Sequence, residues 1–393
     1  MAFISKGCLG LLTGFLFIFN LESQIPEIGS EGRLDVMTWN IEWFGNSSNG
    51  PSNDDLQLQY VNDIINTIKV DLIAVQEISD VGYWNRLLFN CQDYSGVLST
   101  WTQTQKTGLL YKKGDFDFLY QKHILANYEY DFGGGRLPLE VGLIPKHPSW
   151  PKTDTLRIWV LHMKANTGSA SSKVLAYNRR YNAGLALKLY IDNLGKSNKG
   201  IVLGDWNDDF DQSILTGYAS PYQNWIKDTN YVVNSYDLSL SKQRSTVGYS
   251  DMIDHIVSAP GMKLNWIKDS TMVLNADKWI SNYGNVVSDH FPVYARFNWE
   301  NHQLSTVRLH QSNIKLVYVS DTLYFKMNTS VQLNLHSIDL YDVNYKHLSQ
   351  ITGSKFHNPV KNKWYIYKLS NADESKIKIG MFLISDDGCI ISR

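Results

Sequence analysis

The sequence has few cysteines, 3 in 393 residues, and no excess of either charge, since 37 Lys/Arg stand against 38 Asp/Glu for a net charge of −1. So few thiols exclude a disulfide framework. The balanced charge excludes a broadly basic surface that would hold nucleic acid by phosphate contacts alone. A polyanionic partner must therefore be gripped by local cations and a metal. Long apolar runs are also missing. Cys8 to Phe19, about a dozen residues, is too short to span a bilayer as a helix. The stretch to residue 299 holds no low-complexity tract and no internal repeat. What is present, 43% hydrophobic and 19% charged residues, suits a soluble protein with a full core. The length suits one large domain plus something smaller.

The N-terminus reads as a signal peptide over residues 1–23. Lys6 precedes the apolar run, Asn20-Leu21-Glu22-Ser23 breaks it, and cleavage after Ser23 follows. The expected product is secreted or held at the cell surface, with no membrane insertion once the signal is gone. An N-terminal anchor is the alternative. Cys8 lies before the run, which argues against a lipid-anchored cysteine. Cys91 and Cys389 remain, in different predicted domains, and are expected as unpaired thiols.

Residues 24–299 alternate strand and helix signals. Arg33 to Trp39, Asp71 to Gln76, Thr107 to Tyr111, Leu139 to Ile144, Leu156 to His162, Ile201 to Asp205, Ile253 to Val257 and Val293 to Phe297 read as strands. Leu56 to Lys69 and Val174 to Leu194 carry helical spacing. This mixture predicts an α/β architecture with helices covering sheets. From residue 300 the helices stop and short alternating stretches predict an all-β, sandwich-like domain over 300–393. That part holds 11 Lys/Arg and 8 Asp/Glu, leaving −4 for the rest, a change of sign that fits a boundary.

Five islands carry the chemistry: Trp39-Asn40-Ile41-Glu42, Val75-Gln76-Glu77, Leu161-His162-Met163-Lys164, Leu203-Gly204-Asp205-Trp206-Asn207 and Ser288-Asp289-His290. Most follow or end a strand, so their side chains can converge at neighbouring strand ends. Phosphodiester cleavage needs a cation on the phosphate, a base for water and an acid for the leaving oxygen. Glu77 is the first choice of metal ligand, followed by Asn40 and Glu42, and such oxygen donors suit Mg²⁺, with Mn²⁺ or Ca²⁺ as alternatives. His162 and His290 are the proton-transfer candidates. A lone histidine is more often structural, but two beside groups suited to a phosphate shift that balance. Asp205 and Asn207 lie two apart and project to one side.

Asn40, Gln76-Glu77, His162, Gly204-Asp205-Trp206-Asn207, Asp254 and Ser288-Asp289-His290, in this order, resemble the endonuclease/exonuclease/phosphatase superfamily over about residues 33–299. The resemblance implies a four-layer α/β sandwich of two packed mixed sheets flanked by helices, and a divalent-metal phosphoesterase. It makes Glu77 the main metal ligand, with Asn40 and Asp289 close by. It makes His162 and His290 the acid/base pair, Asp254 the carboxylate that orients His290, and Asp205 and Asn207 the groups that position water and phosphate. One position departs. Where deoxyribonuclease I-like members have a carboxylate that orients the first histidine, this chain has Gln105, whose amide can hydrogen-bond His162 without stabilising its cation as well. His255 receives no role and is expected to be structural.

Fold does not settle substrate. Gly135-Arg136-Leu137-Pro138 resembles a segment of secreted deoxyribonucleases whose arginine contacts phosphate. Leu161-His162-Met163-Lys164-Ala165 and the Gln105-Lys106-Thr107-Gly108 turn resemble bacterial extracellular nucleases. Arg136, Lys164 and Gln105 are therefore the substrate-binding candidates, and a monomeric DNA or RNA endonuclease is the expected function. The alternatives are a sphingomyelinase-like or other small phosphodiesterase, for which Trp101, Trp150 and Trp225 are candidate membrane-entering aromatics, and an inactive nucleic-acid or surface-binding scaffold. Arg179-Arg180 reads as a solvated helix face. The C-terminal part loosely resembles a type IX secretion sorting domain, through Leu340-Tyr341-Asp342, Gly380-Met381-Phe382-Leu383-Ile384 and Arg393, which implies contact with secretion machinery. A substrate-binding or stabilising β-domain is the alternative.

Overall fold

Strand β1, Arg33–Phe44 in the computed structural model, alternates as a strand buried on both faces must. Leu34 and Val36 pack into one core, and Met37, Trp39 and Ile41 into another. The structure describes residues 25–299 and, beyond them, the strands given below with Lys363. Residues 1–23, Cys389 and Arg393 lie outside the described residues. Among the described residues no helix is long and apolar enough to cross a membrane.

β1 sits between β2 (Leu72–Ile78), parallel to it, and β12 (Val293–Asn298), antiparallel. Outside these lie β4 (Lys106–Lys112) and β3 (Tyr94–Leu98) on one side and β11 (Met272–Val273) on the other. The second sheet runs β5 (Phe116–His123), β6 (Leu139–Pro145), β7 (Leu156–His162), β8 (Gly200–Asp205), β10 (Asp254–Ser258) and β9 (Val232–Val233). Each six-stranded sheet has one parallel pair, β1 with β2 and β7 with β8, among antiparallel neighbours. Leu72, Ala74, Val141, Ile158, Val160, Ile201, Leu203 and Val293 fill the space between the sheets. Helices α1 (Asp54–Ile68) and α2 (Val81–Asn90) cover the outer face of the first sheet, and α3 (Ala170–Asn193) that of the second. The result is four layers, helix on sheet on sheet on helix, as the family resemblance implied.

The differences from the sequence reading have local causes. β1 continues past Trp39 because Asn40 and Glu42 are polar yet remain in the strand. α3 begins four residues before the predicted Val174. Ser169 caps it by accepting from Ser172 N, and its first turn has no large apolar residue to mark it. α2 was not expected, because only Trp84 and Leu87 are buried on it and two positions make no periodic face. Gly204 is required by a close approach: a Cβ there would stand 2.3 Å from the Leu161 carbonyl oxygen of the neighbouring strand.

The described C-terminal residues form a four-stranded sheet of β13 (Ser305–Arg308), β14 (Ile314–Val319), β15 (Thr322–Met327) and β18 (Lys355–His357). A five-stranded sheet contains β17 (His347–Ile351), β16 (Leu335–Asp342), β19 (Trp364–Asn371), β20 (Ile377–Ile384) and β21 (Ile390–Ser392). All pairings within them are antiparallel.

Candidate active site

Strand parity builds the site. Inward-facing Leu34 and Val36 put Asn40 on the same face of β1. Ile158 and Val160 do so for His162 on β7, Ile201 and Leu203 for Asp205 on β8, and Ile256 for Asp254 on β10. His162 pairs in register with Asp205, and Asp205 with Asp254, so the three form one row across adjacent strands. The row closes one end of the crevice between the sheets. All four side chains are buried.

His290 enters from the loop before β12. Its Nδ1 lies 2.8 Å from Asp254 Oδ2, which leaves Nε2 as the free nitrogen. The loop is fixed by Ser288, whose hydroxyl donates to the Asn40 carbonyl at 2.7 Å and accepts from His290 N at 3.0 Å. Tyr283 Oη and Trp39 Nε1 both donate to the His290 carbonyl. Burial opposes a charge on His290, but Asp254, with Asp205 and Asp289 beyond it, outweighs burial and holds the imidazolium well above its ordinary range.

His162 has the opposite surroundings. Burial, and then the Arg136, His290 and Lys164 cations, hold its pKa well below the ordinary value, so it is neutral. Arg136 Nη1 lies 3.0 Å from His162 Nε2 and 3.4 Å from Nδ1, and Nη2 donates to the Met163 carbonyl at 2.8 Å. The expected bond from Gln105 to His162 is replaced: Gln105 Oε1 accepts from Arg136 Nη1 at 3.0 Å. An amide at position 105 leaves a guanidinium, rather than a carboxylate, against the imidazole. Asp205 Oδ2 is 3.4 Å and Glu77 Oε1 3.7 Å from His162 Nε2.

The acids are crowded. Asn40 Nδ2 bridges Glu77 Oε1 at 3.1 Å and Asp205 Oδ2 at 3.2 Å, while its Oδ1 accepts from Glu42 N. Asn40 thus presents its NH₂ to the carboxylates and ties two of them together, where the sequence reading expected an oxygen ligand. Asn207 likewise spends its amide on Asp205 Oδ2, at 2.9 Å, and on the Met163 carbonyl. Glu42, Trp43, Glu77 and Asn207 all have left-handed backbones, with φ of 30°, 49°, 64° and 54°. Side-chain bonds hold these strained conformations, among them Trp43 N to Glu77 Oε2 at 3.0 Å. Burial, with Asp289 and Glu77 nearby, pushes Glu42 up to about 7, and burial with Asp254 pushes Asp205 up to about 7.

These residues fit a divalent ion by donor chemistry. Glu42 is raised by burial and then by the Asp289 and Glu77 carboxylates, and a hard cation among the three would offset that repulsion. Ligand atoms of Asp205, Asp254 and His290 also lie within 4.8 Å of one another. Within that trio the imidazole already spends Nδ1 on Asp254.

Other residues were not singled out by sequence. Gln57, on the buried face of α1, donates to the carbonyls of Ile41, Glu42 and Val287, each at 3.0 Å, and so joins two site loops. Its signal was a polar residue inside an apolar helical stripe. Arg180, read as solvated, is fully buried and pairs with Asp208 at 2.8 Å beneath the Asp205 loop. Trp150 and Trp225 are buried and Trp101 is part-buried, donating to Glu129, so none stands free to enter a membrane. Cys91 is a free, buried thiol pushed up to about 12 by burial. A cavity of about 600 Å³, lined in part by Arg33, Asp71 and Lys112, opens at the opposite end of the first sheet, away from this chemistry.

His255 is structural, as expected. Its ring contacts Ser235 Oγ at 2.8 Å and the Met252 carbonyl at 3.0 Å. Burial lowers its pKa to about 3 against an ordinary 6.5. The folded state therefore favours neutral His255. Its contribution is complete above pH 6.5 and is lost as pH falls towards 3, at about 1.4 kcal/mol for each pH unit crossed. His255→Gln, which cannot titrate, should narrow the gap between urea midpoints at pH 7 and pH 4. An unchanged gap would remove His255 from the acid response.

A family model described as the endonuclease/exonuclease/phosphatase family matches residues 37–290, a span that contains Asn40, Glu77, His162, Asp205, Asp254 and His290. No curated protein matches the sequence. Among solved structures, an endonuclease/exonuclease/phosphatase from Beutenbergia cavernae DSM 12333 is 14% identical with a TM-score of 0.51, covering 89% of this chain and 99% of its own. Humanized D. rerio TDP2 is 15% identical with a TM-score of 0.50, covering 68% and 99%. An endonuclease/exonuclease/phosphatase from Bacteroides vulgatus gives the same identity, TM-score and coverage. At these identities the likeness is one of fold, the same two packed sheets. The family match spans well over half of the chain and brackets the whole site from β1 to His290: the chain belongs to the endonuclease/exonuclease/phosphatase family, whose members are phosphoric ester hydrolases.

Proposed function

We propose that this protein is a secreted, divalent-metal-dependent phosphodiesterase that hydrolyses nucleic acid, DNA foremost, by histidine-assisted attack of water. The observation that carries this reading is the pairing of a neutral histidine with a charged one across Asp205. A divalent ion, Mg²⁺ as first choice, held by Glu77 with Glu42 and Asp289 nearby, would supply positive charge to the phosphate oxygens. Neutral His162 would take a proton from the attacking water once Arg136 Nη1, now against its ring nitrogens, turns to the phosphate. His290, with Nδ1 fixed on Asp254, holds a proton on Nε2 for the leaving oxygen. Asp205, bonded by Asn40 and Asn207, is placed to orient the water. Arg136 and Lys164 bring cations to a chain whose overall charge is nearly balanced. The C-terminal strands are proposed as an attachment or sorting module.

The test is degradation of circular DNA, double- and single-stranded, by the purified mature chain with Mg²⁺. A chelator and His290→Ala serve as controls. Metal-dependent cleavage that the variant loses is the expected result. A folded protein that leaves both circles intact overturns the DNA-endonuclease reading, and RNA, sphingomyelin and small phosphodiesters become the substrates to assay.

A further inference from the structure

Three cations stand beside the site, and of them Arg136 feels the Asp205 and Glu77 carboxylates without touching either. Arg136, Lys164 and Arg179 form no ion pair among the described residues, whereas Arg180, next to them, is neutralised by Asp208. Arg180 Nη1 donates to the Lys164 carbonyl, which ties the start of α3 to the segment after His162. The connection from β5 to β6 carries Gly133 beside the Arg136 guanidinium and Gly134 beside that of Arg179. A Cβ on Gly133 would stand 2.7 Å from Arg136, and one on Gly134 3.9 Å from Arg179. The two acids of this connection are engaged elsewhere, Glu129 with Trp101 and Asp131 with Asn182. Burial, and then the repulsion of Arg136, Arg179 and Arg180, holds Lys164 below its ordinary pKa. Such a row is stabilised by an anionic chain laid along it.

Arg179 also has an aromatic partner. Its guanidinium carbon lies 4.2 Å from the centroid of the Tyr130 ring, and its Nη2 donates to the Tyr130 carbonyl. Its Nε is buried without a partner. Tyr130 is 59% exposed, and so is much of Leu175, one turn earlier on the same side of α3. A planar cation stacked on an exposed ring suits the π-face of an unpaired base. A duplex keeps its bases stacked inside and cannot offer that face.

Resting on the nuclease reading above, we propose that Tyr130 and Arg179 form a base-stacking subsite that, with Arg136 and Lys164, holds single-stranded nucleic acid beside the scissile phosphate. The preferred substrate is then a single strand or a frayed end, with the base next to the cut lying on the Tyr130–Arg179 layer.

The experiment compares the full mature chain with Tyr130→Ala, Tyr130→Phe, Arg179→Ala and Arg179→Lys. The substrates are a labelled oligothymidylate, an oligouridylate, a duplex of the same length and bis(p-nitrophenyl) phosphate. Binding of both oligonucleotides is followed by fluorescence anisotropy in the His290→Ala background, where turnover is slowed, with a chelator present. Loss of one stacked base is expected to lower kcat/KM on single strands by roughly tenfold or more for both alanine variants. Their loss on the aryl diester should be at least tenfold smaller. Tyr130→Phe should keep the single-strand rate, and Arg179→Lys, which keeps charge but no plane, should not. The two oligonucleotides separate DNA from RNA. Equal losses on all substrates, or no loss on single strands, overturn the subsite while leaving the nuclease reading standing. Oligonucleotide binding that needs Arg179, in a protein that cuts only the aryl diester, sinks nucleic-acid hydrolysis and keeps the subsite. A protein that neither binds nor cuts oligonucleotides sinks both.

Discussion

His290→Ala is expected to lower kcat by about 10²–10⁴-fold, the range of a positioned general acid or base, with the fold unchanged. The reason is geometric. Asp254 fixes Nδ1 at 2.8 Å, so Nε2 is the only ring nitrogen that can give a proton to the substrate. Alanine removes that nitrogen and leaves Asp254 buried without its cation, beside an Oδ1 that has no partner. Asp254→Asn should lose nearly as much, because an amide neither stabilises the imidazolium nor fixes its tautomer as well. The double variant should lose little more than either single one, since residues that act as a unit are not additive. Rates on an aryl phosphodiester and on DNA, with far-ultraviolet circular dichroism as the fold control, provide the measurement. A His290→Ala protein that keeps more than a tenth of the wild-type rate would place the acid elsewhere.

Glu77→Gln is expected to raise the metal concentration for half-maximal activity by roughly 10–100-fold, the scale on which altered metal surroundings act. Glutamine keeps the size of the side chain and an oxygen for Trp43 N, so the left-handed turn at position 77 retains that support. The charge is lost, together with one acceptor for Asn40 Nδ2. The effect should therefore appear in the metal titration, with saturating metal restoring part of the rate. An unchanged titration would take Glu77 out of the ion's immediate surroundings. Glu42, the other acid of the cluster, offers the comparison. Burial, Asp289 and Glu77 push it up to about 7, so removing Glu77's charge should also relieve Glu42.

Much of the site was legible in sequence because strand periodicity is local. Leu156 to His162 alternates within one strand, so the face of His162 follows from that of Ile158 and Val160 without knowledge of the rest. The same holds for Asp205 behind Ile201 and Leu203. Gln57 was hidden because its three carbonyl partners belong to β1 and the loop before His290, which lie apart from it in sequence. α2 and β5 escaped for lack of a periodic apolar face. α2 buries only Trp84 and Leu87, and β5 is an edge strand that exposes Phe118 and Leu119.

The sequence by itself determined the α/β class, the interior strands and which residue types could transfer protons or bind a cation, because these depend on patterns a few residues long. Only the tertiary structure decided in which direction each histidine's pKa is shifted. Asp254 reaches His290 from another strand, and Arg136 reaches His162 from the β5–β6 connection, so identical imidazoles acquire opposite preferences. It also turned Arg179, read as one of a solvated pair, into a guanidinium stacked on Tyr130. Electrostatics and stacking act through space, across distances along the chain that no local pattern records.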